Sequence, residues 1–186
     1  MHVFLETERL LLRHFTEADV DNLFDLDSDP QVMRFVGGRP TPRYVIEHDL
    51  LPGYLRYYQR SDRYGFWAAI EKPSGDFLGW FHFRPLKGAS PNEPELGFRL
   101  RKAAWSQGYA TEGSRALVRK GFTETGVERV VASAFADNIA SRRVLEKAGL
   151  TLVRTYHHSS PDFGDGDAVE YALDKADWER QEAAGV

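Results

Sequence analysis

The sequence predicts a single α/β domain built on a mixed central sheet of about seven strands flanked by helices. One observation is the order of the predicted elements, β-α-α-β-β-β-α-β-α-β-β, in which a hairpin comes early and β-α-β crossovers follow. Hairpins give antiparallel neighbours and crossovers give parallel ones, so the sheet should be mixed. A second observation is that the 186 residues contain no repeat, low-complexity tract or linker, which favours one domain over residues 1–186.

Each predicted strand is a short apolar or alternating run that ends at turn-forming residues. The strands are Arg9–Phe15, Gly65–Glu71, Phe77–Phe83, Glu95–Arg101, Arg129–Phe135, Leu150–Tyr156 and Ala168–Leu173. Between the second and third strands, Lys72–Asp76 contains Pro, Ser and Gly, which are typical of a hairpin turn. We therefore expect these two strands to pair antiparallel.

The helices predicted in the first half begin at N-capping residues. Thr16 and Asp19 form a capping-box pattern with Asp in place of the usual Glu, and a helix should continue to about Leu26. Thr41-Pro42 predicts an N-cap followed by proline at the first helical position, with a helix to about Arg60. Both helices lie between the first and second predicted strands.

Two longer helices and one short one are predicted in the second half. A segment with helical apolar spacing begins at Gly108 and ends near Gly126. Asn138 is expected to cap the next helix, and Gly149 to end it in a left-handed conformation. A short helix should surround Trp178. These helices alternate with strands, as crossover connections require.

Composition excludes several classes of function. The chain has no cysteine, so disulfides, thiolate metal sites and a cysteine nucleophile are excluded. A formal net charge of −4 argues against a nucleic-acid partner bound through a general basic surface. No apolar stretch approaches the roughly 20 residues that span a bilayer, and the N-terminus lacks signal-peptide features. We therefore expect a cytoplasmic protein without a membrane partner.

The segment Trp105–Gly113 indicates an anion site. It follows a predicted strand, contains Gly108 in a short turn and opens a helix. A helix N-terminus has unpaired N–H groups and a partial positive charge, so such a turn can hold a phosphate. The chain lacks both the P-loop pattern and the Gly-x-Gly-x-x-Gly pattern of dinucleotide sites. We expect a phosphorylated ligand of another kind.

Several segments together resemble the GCN5-related N-acetyltransferases (GNAT), within them the RimJ/RimL-like branch. The matching segments are Thr7–Arg13, Glu95–Leu100, Trp105–Glu112, Asn138–Gly149 and Val169–Leu173 ahead of Trp178. A glycine turn alone would be weak evidence for the family. The same turn followed about 30 residues later by Asn-x-x-Ser-x-x-x-Leu-Glu-Lys-x-Gly is far more specific.

The resemblance implies acetyl-CoA as co-substrate and an amine as acceptor. We expect no metal. The resemblance implies that the pyrophosphate is held by the backbone of Gln107, Gly108, Tyr109, Ala110 and Thr111, and that the pantetheine arm contacts the main chain of Phe98, Leu100 and Arg101. It also implies that Asn138 binds the pantetheine and that Ser141 lies near the sulfur. The adenosine 3′-phosphate would be bound by Arg142 or Arg143. The arm would lie beside the strand as an added strand does.

Two positions depart from the family pattern. Trp105 replaces the usual Gln or Arg ahead of the glycine turn, a change in keeping with the RimJ/RimL-like branch. Leu145 occupies the position where many members carry a tyrosine that protonates the departing thiolate. Ser141, one turn earlier on the same helix face, is the expected substitute.

Direct transfer of an acetyl group from a thioester to an amine requires a neutral amine. Because an alkylamine has a pKa of ~10.4, it is protonated at neutral pH, and a base must remove its proton. Glu95 is the first candidate, on the strand face that it shares with Gly97 and Arg99. An equally favoured alternative pairs Glu95 with an arginine on a neighbouring strand. His82 is expected to be a pocket wall or a satisfied sheet residue.

Other polar and aromatic groups have more ordinary interpretations. His157 and His158 are expected to be a surface pair rather than a base, and Asp162–Asp167 an acidic turn rather than a metal site. Two sets are left open. The first set contains Arg99, Arg101 and Lys102, which either steer CoA phosphates or form the solvated end of a strand. The second contains Tyr54, Tyr57 and Tyr58, which either line an acceptor cleft or pack in the core, and the core is slightly preferred.

The expected activity is an acetyl-CoA-dependent N-acetyltransferase acting on a primary amine, which would be a protein N-terminus, a small amine or an amine-bearing antibiotic. The alternative is a catalytically silent acyl-CoA-binding or sensor module of the same fold, which the missing tyrosine keeps open. A structural or nucleic-acid adaptor is disfavoured by the acidic balance. The sequence leaves the choice between monomer and homodimer open.

Overall fold

One mixed sheet runs through residues 2–160 and 164–185, the part of the chain that the computed structural model describes. Its strands are β1 (Val3–Glu6), β2 (Leu10–His14), β3 (Gly65–Glu71), β4 (Phe77–Pro85), β5 (Pro94–Leu100), β6 (Arg129–Phe135), β7 (Thr151–Ser160) and β8 (Gly164–Asp174). The eight strands lie in the order β1-β2-β3-β4-β5-β6-β8-β7. All neighbours are antiparallel except β5 and β6, which are parallel. The predicted mixed α/β architecture is therefore confirmed.

Helices cover both faces of the sheet. They are α1 (Val20–Ser28), α2 (Pro30–Met33), α3 (Arg43–Val45), α4 (Leu51–Tyr58), α5 (Tyr109–Glu124), α6 (Ile139–Lys147) and α7 (Lys175–Ala184). A π-helical turn at Ile46–Leu50 makes α3 and α4 continuous. Among the described residues, no helix is both long and apolar enough to cross a bilayer.

Several element boundaries correct the sequence prediction. The sheet gains β1, whose four residues are too few to show a strand period. Pro42 occupies the N-cap of α3, so the proline lies one position earlier than predicted. Asp165 and Asp167 belong to strand β8 rather than to an acidic turn, because β7 and β8 pair as far as Ser160 and Gly164. The remaining residues of that predicted turn, 162 and 163, lie outside the described residues.

Helix capping follows the prediction closely because it depends on local sequence. Thr16 and Asp19 form a reciprocal capping box ahead of α1. The Asn138 side chain accepts a hydrogen bond from the Ser141 N–H at 3.2 Å, and Gly149 adopts a φ of +93° just after α6. These contacts fix where α6 begins and ends relative to the strands around it.

Helix α5 lies very close to β4 because two glycines face the sheet. A Cβ atom on Gly113 would lie 2.4 Å from Phe81 Cζ, and one on Gly121 would lie 2.8 Å from Phe83 Cζ. The two phenylalanine rings fill the space that side chains would otherwise take, and both are buried. This packing holds the first turn of α5 at a fixed height beside the end of β5.

Helices α1 to α4 cover the opposite face of β3 and β4. Their apolar side chains form a second buried cluster with residues of the sheet. Its members include Phe15, Leu23, Leu26, Ile46, Tyr54 and Trp80. The sheet separates this helical layer and its cluster from the α5 layer and the cluster on that side. We call the side covered by α1 to α4 the helix-side face.

Candidate active site

A gap opens between the parallel strands β5 and β6. They are paired at a single register position, Glu95 with Val131, whereas β5 pairs with β4 along its whole length. The N–H of Arg101 donates to Leu78 O of β4 at 2.7 Å, so by alternation the main-chain groups of Phe98 and Leu100 point the other way, towards the gap. An extended ligand carrying amides can therefore pair with β5 as an added strand.

The end of β5 is partly occupied by the protein itself. The Trp105 indole Nε1 donates to the Leu100 carbonyl at 2.8 Å. The Arg101 N–H is used by Leu78, and its carbonyl accepts from the Ala104 N–H at 2.9 Å. The Arg101 main chain is thus committed to β4 and to the following turn, which corrects its predicted contact with pantetheine. Phe98 and the Leu100 N–H remain on the open edge.

The predicted phosphate turn presents a cluster of unpaired donors. Across the described residues, the backbone N–H groups from Gln107 to Thr111 have no protein acceptor, and the first bond of α5 is Glu112 N to Gly108 O at 2.9 Å. Ser106 and Gly108 adopt left-handed φ values of +60° and +85°, which turn these groups outward. The turn therefore has the donors and the conformation that an anion site at the N-terminus of α5 requires.

Arg9 holds this turn in place, a role that sequence analysis did not identify. Its Nε donates to Glu112 Oε2 at 2.7 Å, its main-chain N–H to Glu112 Oε1 at 2.9 Å, and its Nη1 to Gln107 O at 2.9 Å. Thr7 Oγ1 also donates to Glu112, at 2.6 Å. The Arg9 guanidinium lies 4.4 Å from the centre of the Tyr109 ring. The β1–β2 turn thereby supplies a cation beside the phosphate turn.

Asn138 and Ser141 lie at the start of α6, on the other side of the gap. Capping uses Asn138 Oδ1. Within the part of the chain that the structure describes, the Asn138 side-chain amide and the Ser141 hydroxyl make no hydrogen bond as donors, and both residues are half-buried. Leu145, one turn later, is buried with 1% exposure, so no ionisable side chain replaces the missing tyrosine at that position.

Arg142 is engaged within the protein. Its Nε donates to Tyr171 Oη at 3.2 Å and its Nη1 to Ala136 O at 2.9 Å. Tyr171 in turn donates to Glu146 Oε1 at 2.7 Å. These bonds tie α6 to β6 and β8, whereas the neighbouring Arg143 is exposed. Of the two arginines, Arg143 is the more accessible to a phosphate.

Glu95 is paired with His82 rather than with an arginine. Glu95 Oε2 lies 3.4 Å from His82 Nε2, a close contact without the alignment of a hydrogen bond, and both side chains are largely buried. Gly97 makes this possible, because a Cβ there would lie 2.4 Å from His82 Nε2. The alternative prediction, that Glu95 pairs with an arginine of a neighbouring strand, is wrong. Arg84 is opposite Glu95 in the β4–β5 register but forms no ion pair with it.

The pair has a defined charge state at neutral pH. Burial would raise the pKa of Glu95, but the His82 side chain and the nearby Arg84 charge outweigh it, so the Glu95 pKa is lowered. Burial also lowers the pKa of His82, and Glu95 opposes this only in part. Glu95 is therefore a carboxylate and His82 a neutral imidazole. The histidine predicted as a wall or satisfied sheet residue is instead the partner of the candidate base.

Three of the other charged and aromatic candidates have contacts within the protein. Arg99 forms a buried ion pair with Asp27 of α1 at 2.6 Å, so it neither steers phosphates nor ends a solvated strand. Tyr54 stacks on Phe66 in the core at 4.0 Å between ring centres, as the preferred interpretation predicts. His157 pairs with Asp165 at the surface, at 2.7 Å.

No cluster of metal-ligating side chains occurs among residues 2–160 and 164–185.

Comparison with known proteins agrees with this geometry. Residues 9–151 match the family described as "Acetyltransferase (GNAT) domain". The chain is 32% identical over 191 residues to the FsC-acetyl coenzyme A-N(2)-transacetylase of Aspergillus fumigatus, covering 96% of this chain and 79% of that protein. It is also 32% identical over 155 residues to the uncharacterized protein YkkB of Bacillus subtilis, covering 81% and 87%.

Solved structures share the fold. A GNAT-family acetyltransferase from Bacillus anthracis superposes with a TM-score of 0.77 at 21% identity, covering 95% of this chain and 99% of that one. The ribosomal L7/L12 alpha-N-protein acetyltransferase RimL, solved with coenzyme A, gives a TM-score of 0.77 at 18% identity, covering 93% and 98%. The family match, the curated relative and the site together establish that this chain belongs to the GNAT family of acetyl-CoA-dependent N-acetyltransferases.

Proposed function

We propose that the enzyme moves an acetyl group directly from the CoA thioester to a primary amine that approaches from the helix-side face. One observation carries the proposal: Glu95 stands at the single position where β5 and β6 meet. A pantetheine arm that enters the gap from the phosphate turn ends beside this carboxylate. The name of the Aspergillus fumigatus relative, an N(2)-transacetylase, supports a nitrogen acceptor.

Each group then has one chemical task. The amine nitrogen attacks the thioester carbon, the C–N bond forms, and the C–S bond breaks. Glu95 takes the proton that the amine loses, directly or through one water, since a nitrogen that is forming an amide becomes strongly acidic. A main-chain N–H of β5 that faces the gap stabilises the oxyanion. The Ser141 hydroxyl donates a hydrogen bond that stabilises the departing thiolate, which then takes its proton from solvent.

The proposal is tested by mixing the enzyme with acetyl-CoA and a panel of amines, and by measuring free thiol and N-acetylated amine together. The panel contains short peptides with free N-termini, diamines and amino acids. We expect thiol and acetylated amine to appear in equal amounts with at least one acceptor class. A CoA-dependent rise in melting temperature without thiol release from any amine would instead support the silent acyl-CoA-binding module.

The replacement of Ser141 by alanine is expected to lower kcat by about tenfold, because a thiolate with a pKa of roughly 8.5 leaves with only modest assistance. Affinity for CoA should change much less, since the pyrophosphate and pantetheine contacts remain. The measurements are kcat at saturating acetyl-CoA and the dissociation constant of CoA by calorimetry. An unchanged kcat at saturation would remove Ser141 from the mechanism.

A further inference from the structure

The helix-side face of β4 and β5 carries buried N–H groups that lack acceptors. In the described part of the chain, Trp80 Nε1, His82 Nε2, Arg84 Nε and Arg99 Nε are buried without a hydrogen-bond partner. Buried polar atoms in folded proteins are nearly always paired, so each of these four groups needs an account. Trp80 packs in the buried cluster, His82 contacts Glu95 and Arg99 pairs with Asp27, which leaves Arg84 as the group open to a ligand. The four groups lie around Glu95, on the side from which we propose that the amine arrives.

Arg84 is the group of this set that lacks a counter-ion. Arg99 is neutralised by Asp27 at 2.6 Å. Among residues 2–160 and 164–185, Arg84 forms neither an ion pair nor a hydrogen bond, although it is half-buried. Its guanidinium lies 5.3 Å from the centre of the Phe66 ring, which keeps it extended along the sheet. A half-buried cation without a partner is costly, and an anionic ligand removes that cost.

The position of Arg84 limits where such an anion can lie. Arg84 is directly opposite Glu95 in the β4–β5 register. Directly opposite side chains on one face begin about 5 Å apart. An anion held by Arg84 is therefore within a few bonds of a nitrogen held by Glu95. The two groups together match a small molecule with an amine and an anion close together.

The local charges favour a singly charged anion. Arg99 and Asp27 cancel, His82 is neutral, and Glu95 and Arg84 carry one charge of each sign. A zwitterion with one amine and one carboxylate complements this arrangement, whereas a doubly charged phosphate leaves a net negative site. The fork of an arginine also fits a carboxylate by two parallel hydrogen bonds.

We infer that Arg84 binds the carboxylate of the acceptor, and that the acceptors are small amines that carry a carboxylate near the nitrogen, as amino acids do. This inference rests on the proposed direct transfer to an amine at Glu95. It separates such acceptors from diamines and from protein N-termini, in which no carboxylate lies beside the reacting amine. Phe66 lies beside the Arg84 guanidinium and is itself held in place by stacking on Tyr54 of the core.

The test compares matched acceptors that differ in the carboxylate, namely an amino acid, its amide and its decarboxylated amine, with kcat/KM expressed per neutral amine because the amine pKa also differs among them. For the wild-type enzyme we expect kcat/KM to be about 10- to 100-fold higher for the amino acid, the range given by a hydrogen bond to a charged group. In Arg84→Gln the ratio should fall to near one, chiefly through KM. Arg84→Lys should keep part of the preference, because it keeps the charge.

Arg119→Gln serves as the matched control, since Arg119 is an exposed arginine of α5 paired with Glu182. It should keep the wild-type ratio, and the melting temperatures of all variants report whether they fold. Thiol release that is equal for all three acceptors, or a ratio that Arg84→Gln leaves unchanged, would overturn the role of Arg84. The absence of thiol release from every amine would instead overturn the proposed transfer itself, and the inference with it.

Discussion

Glu95→Gln is expected to lower kcat/KM by about 10²-fold or more near neutral pH, the usual contribution of a positioned general base. Glutamine keeps the shape of the side chain and its place beside His82, but it cannot accept the proton that the amine loses. The measurement is acetyl transfer to the best amine of the panel. Glu93→Gln is the matched control, because Glu93 pairs with Arg129 at 3.6 Å and lies outside the site.

The pH dependence sharpens this expectation. Since the Glu95 pKa is lowered, the wild-type carboxylate is ionised throughout the neutral range and protonates only below its usual pKa. The rise in wild-type kcat/KM with pH should therefore follow the deprotonation of the acceptor amine, for which an alkylamine has a pKa of ~10.4. In Glu95→Gln the deficit should shrink at alkaline pH, where hydroxide can take the proton that the attacking nitrogen loses. If the pH profile of this variant equals that of the wild type, another residue must be the base.

Asp27→Ala is expected to lower the free energy of unfolding by about 3–5 kcal/mol, the usual loss when one member of a buried ion pair is removed. Asp27 is 2% exposed, and it holds Arg99 at 2.6 Å and the Thr41 hydroxyl at 2.8 Å. Alanine leaves the Arg99 charge buried without a partner and frees the segment ahead of α3. Urea denaturation followed by circular dichroism measures the loss.

Asp21→Ala on the same helix is the control for this loss. Asp21 also pairs with an arginine, Arg43 at 2.7 Å, but its side chain is 80% exposed, so the expected loss is at most about 1 kcal/mol. The double variant Asp27→Leu/Arg99→Met should recover most of the stability, because it removes both charges. Equal losses of unfolding free energy in Asp21→Ala and Asp27→Ala would show that burial of the Asp27–Arg99 pair does not affect stability.

The sequence could predict what depends on neighbours in the chain. The Asn138 cap, the end of α6 at Gly149 and the bounds of β6 follow from residues within a few positions of each other. The conformation of the phosphate turn belongs to the same class, because Gly108 both allows the left-handed turn and directly precedes helix α5. These features were predicted and are present.

Contacts across strands could not be predicted in this way. The His82–Glu95 pair requires the β4–β5 register, and a shift of one residue would place His82 on the other face. The main-chain N–H of Arg9 reaches Glu112 across 103 positions of sequence. The commitment of the Arg101 main chain to β4 follows from the same register, which alternation along a single strand does not reveal.

The contact between Gly97 and His82 links two positions on different strands. Because the imidazole occupies the space of a Cβ at position 97, a side chain there would force the His82 ring out of its place beside Glu95. In evolution the two positions should therefore change together, and the glycine should be lost only after the histidine. A relative that carries a side chain in place of this glycine should therefore hold its Glu95 equivalent without the imidazole beside it.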